Sequence, residues 1–189
     1  TIIEMATFTR LDCALSSAGF IRQAFAQALH YTRNRHAFGK ALADQPLMTE
    51  VLADMALESE AATLLAMDLA THFGSTTPID TAWRRVMTPV AKFWNCKRAV
   101  GLTGEAMEVF GGNGYVETGP MGRLFREAPV NSIWEGSGNV MCLDVLRAVS
   151  RNPDDAHLVL DHLQGVATQD AVVMAQLQKL RDAIQQPPE

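Results

Sequence analysis

Apolar residues recur at three- and four-residue steps along almost the whole chain, and no segment keeps the two-residue alternation of a half-buried strand. Phe8, Leu11, Leu15, Ala18, Ile21, Phe25, Ala28 and Leu29 fall on one stripe of a helix over residues 8–31, with Gly19 inside it as a point of close helix approach. A second helix starts at Asp44 and Pro46, carries its buried stripe on Leu47, Val51, Leu52, Met55, Leu64, Leu65 and Leu69, and stops before Gly74-Ser75-Thr76. Thr77-Pro78-Ile79-Asp80 joins a cap, a proline at the first helical position and a first-turn carboxylate. A third helix therefore runs from there to residue 110, bent near Pro89, and Gly111-Gly112 ends it. Residues 113–138 are loop-rich apart from a short helix over 121–126. A fourth helix begins at Gly138 and passes through Val140, Leu143, Val145 and Leu146. Asn152-Pro153-Asp154-Asp155 caps a fifth, and Thr168 a sixth running toward residue 185. The expected fold is all-α: a four-helix up-and-down bundle over 1–151, with a smaller C-terminal helical pair over 152–189 extending the same domain.

Composition narrows the function. A chain of 189 residues, 48% hydrophobic, can bury a substantial core, so disorder and a disulfide-stapled miniature are both excluded. Sixteen Lys and Arg against 21 Asp and Glu leave a net charge of −5, a poor overall balance for gripping a phosphate backbone. Cys13, Cys96 and Cys142 lie far apart with no C-x-x-C pair, which predicts reduced thiols and no zinc site. No apolar run reaches the roughly 20 residues that span a bilayer, and the first residues lack a basic, apolar, small-residue leader. The expectation is a cytoplasmic domain with no membrane partner. Thr1 in place of Met fits a processed product or a piece of a longer chain.

Chemistry belongs in the irregular stretch 111–139. Gly111-Gly112-Asn113-Gly114 follows a helix rather than a strand, so it is not a dinucleotide fingerprint, and a plain helix stop accounts for it. Trp134-Glu135-Gly136-Ser137-Gly138-Asn139 places a carboxylate beside an aromatic ring, in a Gly-rich turn before a helix. Such a carboxylate serves as a general base if the ring desolvates it, and the N–H groups at the helix start can bind a phosphate or an oxyanion. The bland alternative is a solvated turn carboxylate. Arg33-Asn34-Arg35-His36-Ala37-Phe38-Gly39 offers planar cationic donors with an aromatic, or merely a basic helix end. Lys97-Arg98, with Lys92 and Arg84-Arg85 upstream, falls most simply on the solvated side of the third helix. His157 and His162 are five apart, the histidines are expected at the surface, and there is neither a metal-ligand pair nor a Ser/His/Asp grouping or P-loop.

Taken together, Arg35-x-x-Phe38-Gly39, Glu108-Val109-Phe110-Gly111-Gly112-Asn113-Gly114-Tyr115, Arg126-Glu127 and Trp134-Glu135-Gly136-Ser137 resemble the C-terminal helical domain of the acyl-CoA dehydrogenase family, from about residue 10 to 147. The run over 130–144 is most similar to the AidB-like branch of alkylation-response flavoproteins, with the isovaleryl-CoA dehydrogenase branch as its neighbour. The resemblance implies FAD as cofactor, an acyl-CoA substrate oxidised to the enoyl-CoA, self-association as a homodimer or homotetramer, and a separate electron-transfer acceptor. It makes Glu135 the catalytic base that removes the α-proton, with its own N–H a donor to the thioester oxygen. Arg10, Trp134 and Gly136 fall on the substrate side. Ser137 and Asn139 match positions against the subunit's own FAD, whereas Arg35, Phe38 and Gly112 match positions reaching a neighbour's. Glu108 stands at a cofactor-facing position that is usually Gln, and Asn139 is shorter than its usual counterpart. The family's N-terminal and middle domains have no match, so the isolated chain is expected to be a fragment without activity. An alternative implication is an alkylation-response protein whose main task is DNA binding. Against it, the segment after Pro153 has only Lys179 and Arg181 as its Lys and Arg residues, amid Asp154, Asp155, Asp161, Asp170 and Asp182. A purely structural helical bundle leaves the Gly-rich motifs without a purpose.

Overall fold

In a computed structural model describing residues 2–167 and 170–185, three long helices form the body: α1 (Ile2–Asn34), α2 (Pro46–Thr71) and α3 (Pro78–Val109). α3 is the hub, packing on α1, α2 and, farther along the chain, on α5 (Met121–Asn131), α6 (Gly138–Arg151) and α7 (Pro153–Ala167). One turn of helix, α4 (Gly112–Tyr115), links α3 to α5, and α8 (Ala171–Gln185) pairs with α7. The all-α bundle with a C-terminal helical pair is what the periodicity required. The only strands among the described residues are β1 (His36–Ala37) and β2 (Lys40–Ala41), a tight antiparallel hairpin pairing His36 with Ala41.

Local chemistry sets the helix ends. Thr77 Oγ1 accepts from the Asp80 N–H at 3.3 Å, and Pro78 occupies the first turn of α3. Gln45, rather than Asp44, precedes Pro46 as the cap of α2, because residues 42–44 wind into a 3₁₀ turn. Gly111 leaves α3 at φ 60°, and Gly114 fits so closely that a Cβ there would lie 2.1 Å from the Met107 carbonyl oxygen. α5 runs five residues past its expected end, through Pro129. Thr168 lies outside the described residues; the Asp170 carboxylate caps α8, accepting from the Val172 and Val173 N–H groups at 2.8 and 3.1 Å.

Two cores fill the bundle. Ala18, Ala24, Ala28, Ala62, Ala66, Ala99 and Ala106 let α1, α2 and α3 approach closely around Ile21, Met55 and Leu102. The second joins Leu11, Leu69, Trp83 and Val86 to Ala148 of α6 and Val159 of α7. Between them runs a buried polar chain in which Asn131 donates to Ser17, Ser17 to the Cys96 sulfur, and Asn95 to the Ala14 and Ala62 carbonyls. Several stripe assignments need correction. Phe8, Leu47 and Leu64 are exposed, Gly19 has no atom within 4 Å of where its Cβ would be, and α6 buries Gly138, Met141, Asp144 and Ala148 while exposing Val140, Leu143 and Leu146. The three- and four-residue spacing located these helices, but which apolar side is covered depends on neighbours far along the chain.

Candidate functional site

The turn between α5 and α6 has a conformation that most residues avoid. Glu135 sits at φ 57° and Gly136 at φ 108°, two consecutive left-handed residues, of which only the glycine is at ease there. Two cations hold the turn. Lys92 Nζ donates to the carbonyls of Trp134 and Gly136, at 2.9 and 2.5 Å, and Arg10 Nε donates to the carbonyl of Glu135 itself at 3.0 Å. Three successive carbonyls thus face the bundle. In a trans peptide the C=O and the next N–H point in opposite directions, so the N–H groups of Glu135, Gly136 and Ser137 face away from those cations. Among the described residues none of the three has an acceptor. The first N–H groups of α6 follow directly and add the positive end of a helix dipole.

Lys92 overturns the expectation of a solvated cation. It is 1% exposed, set on α3 in the inward stripe Thr88, Lys92, Asn95, Ala99, Thr103 and Ala106. Counting that 4-3-4-4-3 spacing from the buried alanines would have found it; the surrounding basic residues hid it. Burial pushes its ammonium below the usual lysine value. Burial also raises the Cys13 thiol and pushes Cys96 up to about 11, so both remain protonated thiols, as expected of unpaired cysteines. Lys97 and Arg98 do face solvent, whereas Arg84 is tied to the carbonyls of His72 and Ser75.

Arg10 is itself oriented. Its Nη1 binds Asp144 at 2.7 Å, and Arg85 binds the other carboxylate oxygen at 2.9 Å. Burial alone would raise the Asp144 carboxyl; the hydrogen bonds and charges of Arg85 and Arg10 outweigh it and hold the group below the ordinary carboxylate range. Beside this triad opens a cleft of about 440 Å³, lined by Phe8, Phe73, Thr88 and Pro89 as well as Arg10 and Asp144. Trp134 is 54% exposed, and its indole N–H donates to Asn131 Oδ1 at 3.1 Å. The ring therefore does not bury Glu135, whose carboxylate is open to solvent, as are Ser137 and Asn139.

The other sequence-predicted residues collect at the far end of α1. Arg35 follows the last residue of that helix, and Phe38, at φ 55° and 93% exposed, tips the hairpin. Exposed Glu108 and Gly112 belong to the same end, because Tyr31 stacks on Phe110 at 4.3 Å and the Asn113 amide donates to the Tyr31 hydroxyl at 3.3 Å. Arg10 and Arg35 are 25 residues apart in chain order along α1, roughly 37 Å at the helical rise. One group of site residues thus sits at each end of the bundle. Of the histidines, His72 departs from the surface expectation, its ring bonded to Asp80 at 2.6 Å and packed on Trp83, and no metal-holding cluster occurs among the described residues.

Known proteins share this chain's sequence and fold. The family model described as "Acyl-CoA dehydrogenase, C-terminal domain" matches residues 1–150. AidB of Escherichia coli (strain K12) is 43% identical over all 189 residues, which cover 35% of that protein. Among solved structures, Caenorhabditis elegans ACDH-11 in complex with C11-CoA superposes with a TM-score of 0.87 at 30% identity, over 96% of this chain and 33% of that one. Bd2924 in its apo-form gives 0.86 at 32% identity, over 96% and 37%. The chain spans about a third of the length of these relatives. It belongs to the acyl-CoA dehydrogenase family, as that family's C-terminal helical domain.

Proposed function

We propose that this chain supplies the proton-abstracting base and part of the flavin site of an FAD-dependent acyl-CoA dehydrogenase. One observation carries the reading: an exposed carboxylate, Glu135, on a turn whose carbonyls are all held from within, so that its own N–H is left as a free donor. An α-C–H of a thioester becomes acidic enough to lose only while the thioester oxygen is polarised, and one residue here offers both groups. Glu135 takes the α-proton; its N–H donates to the oxygen that gains charge; Arg10, Trp134 and Gly136 border the acyl thioester. FAD, when bound, supplies the acceptor for the β-hydrogen as hydride.

The residues present fit such a cofactor. Exposed Ser137 and Asn139 beside the unpaired N–H groups of α6 are donors suited to a diphosphate or a heteroaromatic ring edge. Arg35 offers a planar fork and Phe38 an open ring face. Arg10, bonded to the Glu135 carbonyl, stands roughly 37 Å from Arg35 at the helical rise, and this separation of the two groups supports a site shared between two copies. Exposed Trp94, Val140, Leu143 and Leu146 on adjoining helices, and Leu57 and Leu64 on α2, give further apolar surface for association. Family members bind FAD and act as oxidoreductases, and the relative holding C11-CoA supports an acyl-CoA as substrate.

In the complete protein, Glu135→Gln is expected to slow acyl-CoA-dependent flavin reduction by about 1,000-fold with flavin still bound. Unchanged reduction rates reject the assignment.

A further inference from the structure

Lys92 is costly where it stands. Its ammonium is buried, no Asp or Glu among the described residues lies within ion-pair distance, and an apolar side chain of similar length would fill the slot without a desolvation penalty. What the charge does there is visible in its bonds: Nζ holds the carbonyl before Glu135 and the carbonyl after it. The turn cannot hold that shape by itself. Glu135 occupies the left-handed region without glycine's freedom, and its carbonyls lie between two helices, outside either ladder. Neighbouring side chains pack directly on the turn, since a Cβ on Gly136 would meet Val140 Cγ1 at 3.1 Å and one on Gly138 would meet the Phe93 ring at 3.2 Å.

We propose that Lys92 is a positioning residue for proton abstraction: by clamping the Trp134 and Gly136 carbonyls it fixes the left-handed turn, and so presents the Glu135 carboxylate and the Glu135 N–H together on the outer side. Arg10 completes the clamp on the carbonyl between, steered by Asp144. Without Lys92 the Trp134–Glu135 and Gly136–Ser137 peptides are free to rotate; the first carries the Glu135 N–H, which swings away from the thioester oxygen while the carboxylate loses its fixed origin. Lys92 itself touches no substrate. The inference rests on Glu135 being the base, and its test is arranged so that the two can fail separately.

The experiment compares the full-length protein with Lys92→Met, Lys92→Gln and Glu135→Gln, using a 3-thiaacyl-CoA in D₂O. That thioester has an acidic α-position but a sulfur where the β-carbon would be, so base action appears only as α-proton exchange: the base takes H⁺ and returns D⁺, with no oxidation. Two readouts are followed, exchange of the hydrogen-bonded amides of Ser132, Ile133 and Trp134 and α-deuteration of the ligand. In Lys92→Met those three amides are expected to exchange at least about tenfold faster while those of α1 and α2 are unchanged. Its α-deuteration should fall about 100-fold with ligand affinity held within about threefold, a split that general loss of fold would not give. Lys92→Gln, which retains an uncharged NH₂ donor, should fall between, and it decides the question if Lys92→Met loses its helical signal. Unaltered exchange of the Ser132, Ile133 and Trp134 amides, or α-deuteration that drops only in step with affinity, overturns the role of Lys92. Native deuteration no faster than that of Glu135→Gln instead rejects Glu135 as the base, while the amide exchange still judges the clamp.

Discussion

A single backbone angle sets the shape of the turn from Trp134 to Ser137. Glu135 at φ 57° costs on the order of 1 kcal/mol relative to a relaxed conformation, and in that conformation Lys92 and Arg10 satisfy three successive carbonyls. Glycines mark the other tight places. Gly114→Ala would push a methyl into the Met107 carbonyl and is expected to destabilise the fold by about 2–3 kcal/mol, read as a lower urea midpoint. Gly19→Ala, with open space at the same atom, should be neutral or stabilising by up to about 1 kcal/mol. The turn was legible because Trp-Glu-Gly-Ser-Gly concentrates flexible residues around one carboxylate. Lys92 was not, because a lysine near Arg84, Arg85, Lys97 and Arg98 has the composition of a wet face, and only the phase of the helix separates it from them.

Helix ends were the most legible elements. Thr77 and Pro78, Gly111, and Gly138 each do in the structure what their chemistry predicts, because caps depend on a few adjacent residues. The seat of α6 was not legible, because it depends on Asp144 meeting Arg10 and Arg85 from 134 and 59 residues away in the chain. Asp144→Asn should therefore loosen α6 from α1 and α3 and cost about 2 kcal/mol at neutral pH. The pH dependence has a definite sign. The folded carboxyl titrates below its unfolded value of about 3.9, so its contribution is complete above roughly pH 5 and disappears as pH falls through the lower folded value. The gap between native and Asp144→Asn in urea midpoint is expected to narrow progressively as pH falls below about 4; a gap that does not narrow on acidification would show that the charge is not what holds the helix.

At the scale of the whole molecule, the length of α1 separates the two groups of candidate residues, one around Arg10 and one around Arg35. That separation follows from an unbroken 33-residue helix, which the periodicity indicated without showing which residues gather at each end. If the far end completes a neighbour's site, Arg35→Ala should release flavin from the complete protein while leaving the helical signal unchanged, since Arg35 is exposed and lies beyond the last turn of α1. Stoichiometric flavin in that variant would count against a shared site. The central claim, that this domain belongs to a working acyl-CoA dehydrogenase with Glu135 as its base, is met most directly by the visible flavin spectrum of the complete protein. It is recorded anaerobically before and after a series of acyl-CoA thioesters is added, in native and Glu135→Gln forms. Bleaching of the oxidised band in the native protein, and its persistence in the variant, is the predicted result. A bound flavin that no acyl-CoA bleaches, or one that bleaches equally in both forms, would contradict it.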